Sequence, residues 1–478
     1  MSQPAQVVAQ AAVPGRPGLP EHRQPTRRGV ELALLVLVWC IGSLAILLAS
    51  EGAAGEVFPE VWKVVGVTGA GLLGIHLIVR WQAPYADPIM LPVAAALNLL
   101  GIAMIARLDI ADALEARADG EPIPPLDAFD QAIWMAVGIV ACALVLVFLR
   151  DHRTLRRYTY IWGLLGLVLL LLPMVPGLGL TIRGATLWIQ VGPFTFQPAE
   201  LAKVVLTIFF ASYLVQYRES LALVRRKVLG LGVPRGRDLG PILVAWLVAM
   251  AIMALQTDLG TAVMLFGLFV GLLYVATGRR SWIVIGLILT VVGGLLAYQL
   301  FGHVQVRVKV WLDPFAYADE EGYQIVQALF GFANGGMMGT GWGRGYPQLV
   351  PFAESDFIFA ALGEEIGMVG VFAVIVLFAI LIQRALRVAH ASRDPFGALL
   401  VTGFAIILGL QAFVVLGGVT KLIPHTGLTT PFMSAGGSSL LANWIILGLL
   451  LRVSDHVRRP DPVIVRPEDQ TTEVVRTP

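Results

Sequence analysis

Blocks of predominantly apolar residues, most of them about 20 residues long, recur along the whole chain. A block of this length spans the hydrocarbon core of a bilayer as an α-helix, because only a helix satisfies its backbone hydrogen bonds there without partners. The twelve blocks cover residues 30–50, 61–80, 88–106, 129–149, 158–176, 197–216, 240–255, 258–277, 281–301, 357–383, 397–419 and 436–453. The pattern predicts an all-α polytopic membrane protein with about 12 transmembrane helices.

Composition agrees with this pattern: 57% of the residues are hydrophobic and 14% are charged, against roughly 25% charged in soluble proteins. The net charge of +2 is too small to indicate a nucleic-acid partner. Residues 1–29 and 456–478 are polar or rich in proline and are predicted to be disordered tails.

Basic residues predict the orientation of the chain, since lysine and arginine concentrate in cytoplasmic loops. Arg80, the segments 150–157, 218–237 and 384–393, and the Arg279–Arg280 pair fall on one side of the predicted helices. Both termini fall on that side only when the number of helices is even. We therefore expect cytoplasmic termini.

The longest loop, residues 302–356, lies on the opposite, extracytoplasmic side, and a long ordered loop is usually functional. Within it, Val326, Leu329, Phe330 and Ala333 have helical spacing. They predict either an amphipathic helix at the membrane interface or a helix that covers the bundle.

Few ionisable residues fall inside the apolar blocks, where charge is costly. Glu200 and Lys203 are three residues apart and share a helix face, Asp258 opens the eighth block, and Glu364 lies early in the tenth. We interpret these four as a buried charge network that fixes helix packing. A transport path is the alternative.

Asp356 lies at the outer end of the tenth block, beside the long loop. A half-desolvated carboxylate there suits a general base. Aspartate is also a favoured helix cap, and spacing alone favours the cap.

Two glycine-rich segments border the predicted helices. Residues 335–345 either hold an anion through backbone N–H groups or form a flexible connector, and the connector is the simpler interpretation. Residues 434–439 lie at the outer end of the last block.

Five motifs, in order, resemble the SEDS family of cell-wall glycosyltransferases (RodA, FtsW and SpoVE). They are residues 197–203 (QPAELAK), 256–261 (QTDLGT), 307–314 (RVKVWLDP), 355–367 (SDFIFAALGEEIG) and 430–439 (TPFMSAGGSS). The resemblance covers residues 129–455 and is strongest to actinobacterial RodA-type members. It leaves 30–128 as extra N-terminal helices.

The resemblance implies an inverting glycosyltransferase that polymerises lipid II into β-1,4 glycan strands at the outer face of the bacterial cytoplasmic membrane. It places the catalytic aspartate on Asp356 and an outer-loop tryptophan on Trp188. Leu187 and Ala435 depart from the family pattern, which has a basic residue and a tyrosine there. Positive charge and glycine-rich backbone for the substrate are expected from Arg183, Arg307, Lys421, Ser434, Gly436, Gly437 and Ser438.

The resemblance also implies partners: an undecaprenyl-pyrophosphate-linked glycan as donor and a class B penicillin-binding protein as transpeptidase. A divalent cation, Mg²⁺ or Mn²⁺, could share the charge of the pyrophosphate, but no ligand cluster stands out in the sequence. Other hypotheses are a division-type FtsW polymerase, a lipid II flippase and a non-catalytic scaffold.

Overall fold

The computed structural model describes residues 26–182, 185–192, 194–222, 226–228, 231–233 and 236–460. Most of the predicted tails, residues 1–25 and 461–478, lie outside them. In the described residues the helices are α1 (Arg28–Ala54), α2 (Val61–Gln82), α3 (Met90–Asp119), α4 (Asp127–Phe148), α5 (Thr159–Leu171), α6 (Pro198–Ala222), α7 (Gly236–Leu255), α8 (Leu259–Thr277), α9 (Ser281–Leu300), α10 (Gly302–Leu312), α11 (Tyr323–Gly335), α12 (Ile358–Ala391), α13 (Pro395–Val419) and α14 (Gly437–Arg458).

Membrane-spanning helices make up the bulk of the described chain. Eleven of them are long and apolar enough to cross a bilayer, and a shorter apolar helix, Gly240–Leu255, occupies the seventh predicted block. The expected all-α polytopic fold is confirmed. The short helices α10 and α11 lie in the segment that was expected to be a loop.

Helix packing places α3, α6 and α14 in the interior of the bundle, where more than four-fifths of their membrane-spanning residues are buried. α3 packs against α1 and α12, and α14 packs against α4 and α6. The N-terminal helices are therefore packed directly onto the rest of the protein. By contrast, α9 contacts mainly α8 and α10 and presents most of its surface outward.

Five short strands depart from the purely helical expectation. β1 (Gly179–Ile182), β2 (Ala185–Val191) and β3 (Phe194–Phe196) form an antiparallel sheet between α5 and α6. β4 (Arg226–Val228) pairs with β5 (Leu231–Val233) between α6 and α7. Both sheets lie in connections between helices. Strands of three to seven residues are too short to be recognised from the length of an apolar block.

α11 covers the bundle. Its buried residues Ile325, Val326 and Ala328 face inward, and the helix packs against α12. Phe330, one turn after Val326, is exposed. The covering helix is thus the correct one of the two predicted arrangements.

The glycine-rich segment 335–345 supports a break in α12. Gly367 has φ +68° and interrupts the helix, and the freed N–H groups of Met368 and Val369 donate to the carbonyls of Gly336 and Met337. Its backbone is thus bonded to α12 and is not a free connector, and the backbone N–H of Gly343 donates to the Glu365 carboxylate at 2.6 Å, an anion of the protein itself.

Four helices, α6, α8, α12 and α14, start at the same end of the bundle. The first sheet, α10 and α11 lie at this end too, and together these elements enclose a cavity. The turn between α12 and α13 lies at the opposite end, where His152 contacts Asp394.

Candidate active site

The cavity at the shared helix starts has a volume of about 460 Å³. Its walls come from β2, β3, α10, α11 and the starts of α6, α8, α12 and α14. Polar and apolar groups alternate along the wall, and Asp356 lies in it together with Arg307, Glu321 and His425. An open cavity of this size, lined by both apolar and polar groups, can hold a ligand with a charged head group.

Asp356 is not a helix cap. α12 begins at Ile358 with Phe357 in the cap position, and no side chain caps it. Instead the Asp356 carboxylate accepts a hydrogen bond on each oxygen, from Ser355 Oγ (3.0 Å) on Oδ1 and from His425 Nε2 (2.8 Å) on Oδ2. Its side chain is 18% exposed, toward the cavity. The capping hypothesis is therefore wrong.

His425 is a site residue that the sequence analysis missed. It lies 69 residues beyond Asp356 in the chain, and its ring stacks on Phe357 with centroids 4.6 Å apart. The only signal in the sequence was its position, between the predicted eleventh helix and the 430–439 motif. Gln197, Glu321 and Gln324 also line the cavity without having been predicted.

Arg307 is the one lysine or arginine side chain that lines this cavity in the described part of the chain. Its Nη1 donates to the Thr426 carbonyl at 3.1 Å. Burial lowers the pKa of this guanidinium from its ordinary value, while the carboxylates of Asp258 and Asp356 raise it. The predicted cationic site residue is thus placed between two carboxylates.

The start of α14 brings Gly436, Gly437 and Ser438 to the cavity wall. Gly437 is required there because a Cβ would lie 2.2 Å from the ring of Trp134. Ser438 Oγ accepts from the Gln197 backbone N–H at 2.8 Å. Gly436, in the cap position, has no side chain to cap this helix start, and its own N–H donates to Gln131 Oε1 at 3.3 Å.

Ser434 has a different position from its glycine neighbours. It is buried, its hydroxyl accepts from the Thr430 N–H at 2.7 Å, and it donates to the Ser355 carbonyl. It does not line the cavity. It fixes the segment that precedes Asp356, and the substrate contact expected of it is replaced by a structural role.

Trp188 reaches the cavity from β2, beside Leu187. It pairs with Leu180 of β1 in the sheet, which determines the face of the strand on which the indole lies. The predicted cation Arg183 lies outside the described residues.

The expected charge network is divided in the structure. Glu200 and Lys203 form an ion pair with 2.5 Å between Oε2 and Nζ, and Lys203 also donates to Gln411 of α13 at 3.0 Å. Asp258 adjoins this pair and caps α8, accepting from the Thr261 N–H at 2.9 Å. Burial raises the pKa of Asp258; the Thr261 hydrogen bonds and Arg307 lower it, and nearby Glu200 raises it.

Glu364 does not join that network. Its carboxylate accepts from Asn334 Nδ2 at 2.8 Å and from the Tyr346 N–H at 2.9 Å, so it fixes the glycine-rich segment. The neighbouring Glu365 pairs with Arg107 of α3 at 2.8 Å. Adjacent helix residues point in different directions, so Glu364 and Glu365 meet different partners, which only the packing of α12 identifies.

Lys421, expected at the substrate, points away from the cavity. Its Nζ donates to the Leu312 carbonyl at 3.2 Å, and its own carbonyl accepts from Trp311 Nε1 at 3.1 Å. The residue has φ +61°, a turn conformation that directs the side chain toward α10. It connects two loops and is not part of the cavity wall.

Four carboxylates border the cavity, those of Glu200, Asp258, Glu321 and Asp356, and three of them have partners within the protein. Glu200 is paired with Lys203, Asp258 caps α8 and Asp356 accepts from two side chains. Among the described residues, the group of three potential ligands with closely spaced donor atoms is Asp151, His152 and His456, at the opposite end of the bundle.

Comparison with known proteins identifies the family. The sequence model of the FtsW, RodA and SpoVE family, described as cell cycle protein, matches residues 88–459. This chain belongs to the FtsW/RodA/SpoVE family. The match includes α3 in addition to residues 129–455.

RodA-type members of this family are similar over nearly the whole chain. Peptidoglycan glycosyltransferase RodA of Mycobacterium tuberculosis (strain H37Rv) is 48% identical over 91% of this chain and 92% of its own length. The Mycobacterium leprae RodA is 45% identical over the same shares. A probable peptidoglycan glycosyltransferase FtsW of Geobacter metallireducens is 34% identical over 78% of this chain and 95% of its own. The expected likeness to actinobacterial RodA is confirmed.

Solved structures of FtsW/RodA/SpoVE proteins have the same fold. The Thermus thermophilus rod shape determining protein RodA superposes with a TM-score of 0.55 at 26% identity, covering 80% of this chain and 100% of its own. A chain from a study of polymerisation and crosslinking by a peptidoglycan synthase complex gives a TM-score of 0.62 at 27% identity, covering 78% and 99%.

Proposed function

We propose that this protein is a RodA-type peptidoglycan glycosyltransferase, which polymerises lipid II into β-1,4 glycan strands for cell elongation. The support is its similarity to mycobacterial RodA proteins over nine-tenths of the chain. FtsW relatives cover less of the chain at lower identity, which favours the elongation type over the division type.

The observation that carries the chemistry is the Asp356 carboxylate. It faces a cavity, accepts hydrogen bonds on both oxygens and has no capping role. As general base it takes the proton of the acceptor 4-hydroxyl of the lipid II GlcNAc. The hydroxyl oxygen then bonds to the anomeric carbon of the donor sugar, and the bond from that carbon to the pyrophosphate breaks. Configuration inverts, and undecaprenyl pyrophosphate leaves.

Charge for the departing pyrophosphate comes from Arg307 and from helix starts. The positive ends of α12 and α14 point toward the cavity, and neither is capped by a side chain. Preorganised donors of this kind stabilise charge that develops in the transition state. A divalent cation at the pyrophosphate remains a proposal, and no step above depends on it.

The orientation of the membrane helices determines on which side of the membrane the cavity lies. We assign the cavity to the outer face and both termini to the cytoplasm, since the basic loops lie at the opposite end. A membrane-impermeant maleimide should label a cysteine at residue 115 from outside and leave one at residue 222 unlabelled. The reverse pattern would contradict this orientation.

A class B penicillin-binding protein is the proposed partner. The similar chain from a peptidoglycan synthase complex supports this pairing, since polymerisation and crosslinking are coordinated there. The partner would crosslink the strands that this chain makes.

The deciding experiment is a polymerisation assay with purified full-length protein and lipid II, with and without the partner. Glycan strands should appear with the wild type and be nearly absent with Asp356→Asn. Transfer of lipid II across a vesicle membrane without any polymer would instead identify a flippase. If neither polymer nor transfer is detected, the protein is a non-catalytic scaffold.

A further inference from the structure

We propose that His425 is a positioning residue of this reaction, holding the Asp356 carboxylate ionised and oriented in the cavity. The inference rests on the proposed function, because it concerns the base of that reaction. His425 does not contact the reacting atoms in this arrangement; it acts through Asp356.

The contact itself defines the direction of the hydrogen bond. His425 Nε2 lies 2.8 Å from Asp356 Oδ2. An ionised carboxylate has no proton to give, so Nε2 carries the hydrogen and donates it. Ser355 Oγ donates to the other oxygen at 3.0 Å. The carboxylate plane is therefore fixed from two sides, by side chains of two separate segments.

The ring of His425 is itself held in place. It stacks on Phe357 with an interplanar angle of 29° and centroids 4.6 Å apart. Its second nitrogen, Nδ1, is buried and has no hydrogen-bond partner among the described residues. A buried N–H without an acceptor is costly, whereas a bare ring nitrogen costs less. This environment favours the neutral tautomer with its proton on Nε2, the form that donates to Asp356.

Charged groups around Asp356 and His425 determine how much the hydrogen bond from His425 contributes. Arg307 of α10 lies near Asp356 and interacts electrostatically with it. The carboxylates around the pair are those of Glu200 of α6, Asp258 at the start of α8, Glu321 before α11 and Glu354, two residues before Asp356. Like charges oppose ionisation, and hydrogen bonds to the charged form favour it. Removing one of the two donors should therefore weaken the hold on the ionised carboxylate, an effect that the acid limb of the reaction would report.

The test is the pH profile of glycan polymerisation by the purified full-length protein with its partner, measured for wild type, His425→Leu and His425→Gln. Leucine fills the space beside Phe357 but donates nothing. We expect its acid limb to move about one pH unit upward, a tenfold change in the protonation equilibrium. Its plateau rate should fall about 10-fold to 100-fold, the range for a hydrogen bond to an ionised group.

Glutamine provides the rescue, because its Nε2 can replace the histidine donor. It should return the acid limb to within about 0.3 pH units of the wild type and recover most of the plateau rate lost by leucine. The matched control is His390→Leu, the same change at an exposed position at the far end of α12, which should leave the profile unchanged. A purely structural role predicts a uniform loss in both His425 variants, with the acid limb fixed.

A second variant guards against misfolding of the leucine protein. Ser355→Ala removes the other donor while leaving His425 in place, and it should move the acid limb in the same direction. If the limb stays fixed in every correctly inserted variant, the positioning role is refuted. Failure of the proposed function looks different: wild type and Asp356→Asn would both make no polymer at any pH.

Discussion

Two acid–base pairs lie close to the same end of the bundle, and they differ in burial. The Glu200–Lys203 pair joins α6 to α13 through Gln411, and its two side chains are 7% and 0% exposed. The Asp356–His425 pair is 18% and 14% exposed and faces the cavity. Glu200 borders the cavity, but its partner Lys203 is fully buried and contacts Gln411, whereas both members of the Asp356–His425 pair line the cavity, where the carboxylate can exchange a proton. Similar residue types therefore serve different purposes.

The largest effect on polymerisation is expected at the Asp356–His425 pair. Asp356→Asn keeps the size of the side chain and loses its basicity, so polymerisation should fall about 10²–10⁴-fold. Membrane abundance should stay normal, because Asp356 does not cap α12. The exposed Asp319→Asn in the same long segment is the matched control. Wild-type yields of glycan from the Asp356 variant would end the general-base assignment.

Substitution in the Glu200–Lys203 pair should instead reduce the stability of the folded protein. Lys203→Met leaves Glu200 as an uncompensated buried charge, a loss of about 3–5 kcal/mol that should appear as low membrane abundance. Adding Glu200→Gln removes that charge and should restore much of the abundance. If the single variant accumulates normally but makes no polymer, the contrast between the two pairs does not hold.

Substitutions of Arg307 test the contribution of the positive charge beside Asp356. Arg307→Gln should lower the polymerisation rate about 10-fold to 100-fold at normal abundance, since it removes hydrogen bonds from a charged donor. Arg307→Lys should lose less because it keeps the charge, although not the planar geometry. Equal losses in both would point to packing of the guanidinium against Thr426.

The smallest effect is expected at Lys421, whose ammonium lies on the Leu312 carbonyl outside the cavity. Lys421→Gln should change the polymerisation rate by less than about threefold, as for most surface substitutions. A loss comparable to that of Arg307→Gln would return Lys421 to the substrate site where the sequence had placed it.

Most of the fold was predictable because each membrane-spanning block has a local cause. Hydrophobic length alone identified the blocks, and each of the twelve corresponds to an observed helix. The small sheet that carries Trp188 was not predictable in this way, since three short strands have no comparable length signal.

The site was predictable only in part. Asp356, Arg307 and the Gly436–Ser438 segment do line one cavity, as the resemblance implied. Glu364 and Ser434 instead hold segments in place, and Lys421 points elsewhere. Whether a polar side chain meets a ligand or another backbone depends on its direction, which residue type does not specify.

By itself, the sequence determined the number and approximate span of the membrane helices, the family and the position of the candidate base, because these follow from local hydrophobicity and contiguous motifs. The tertiary structure alone decided which partners from distant segments each polar group meets. His425 reaches Asp356 across 69 residues, and Lys203 reaches Gln411 across 208. Such pairs form only when segments distant in sequence pack side by side. The position of the pair in the bundle determines how far its side chains are exposed to the cavity.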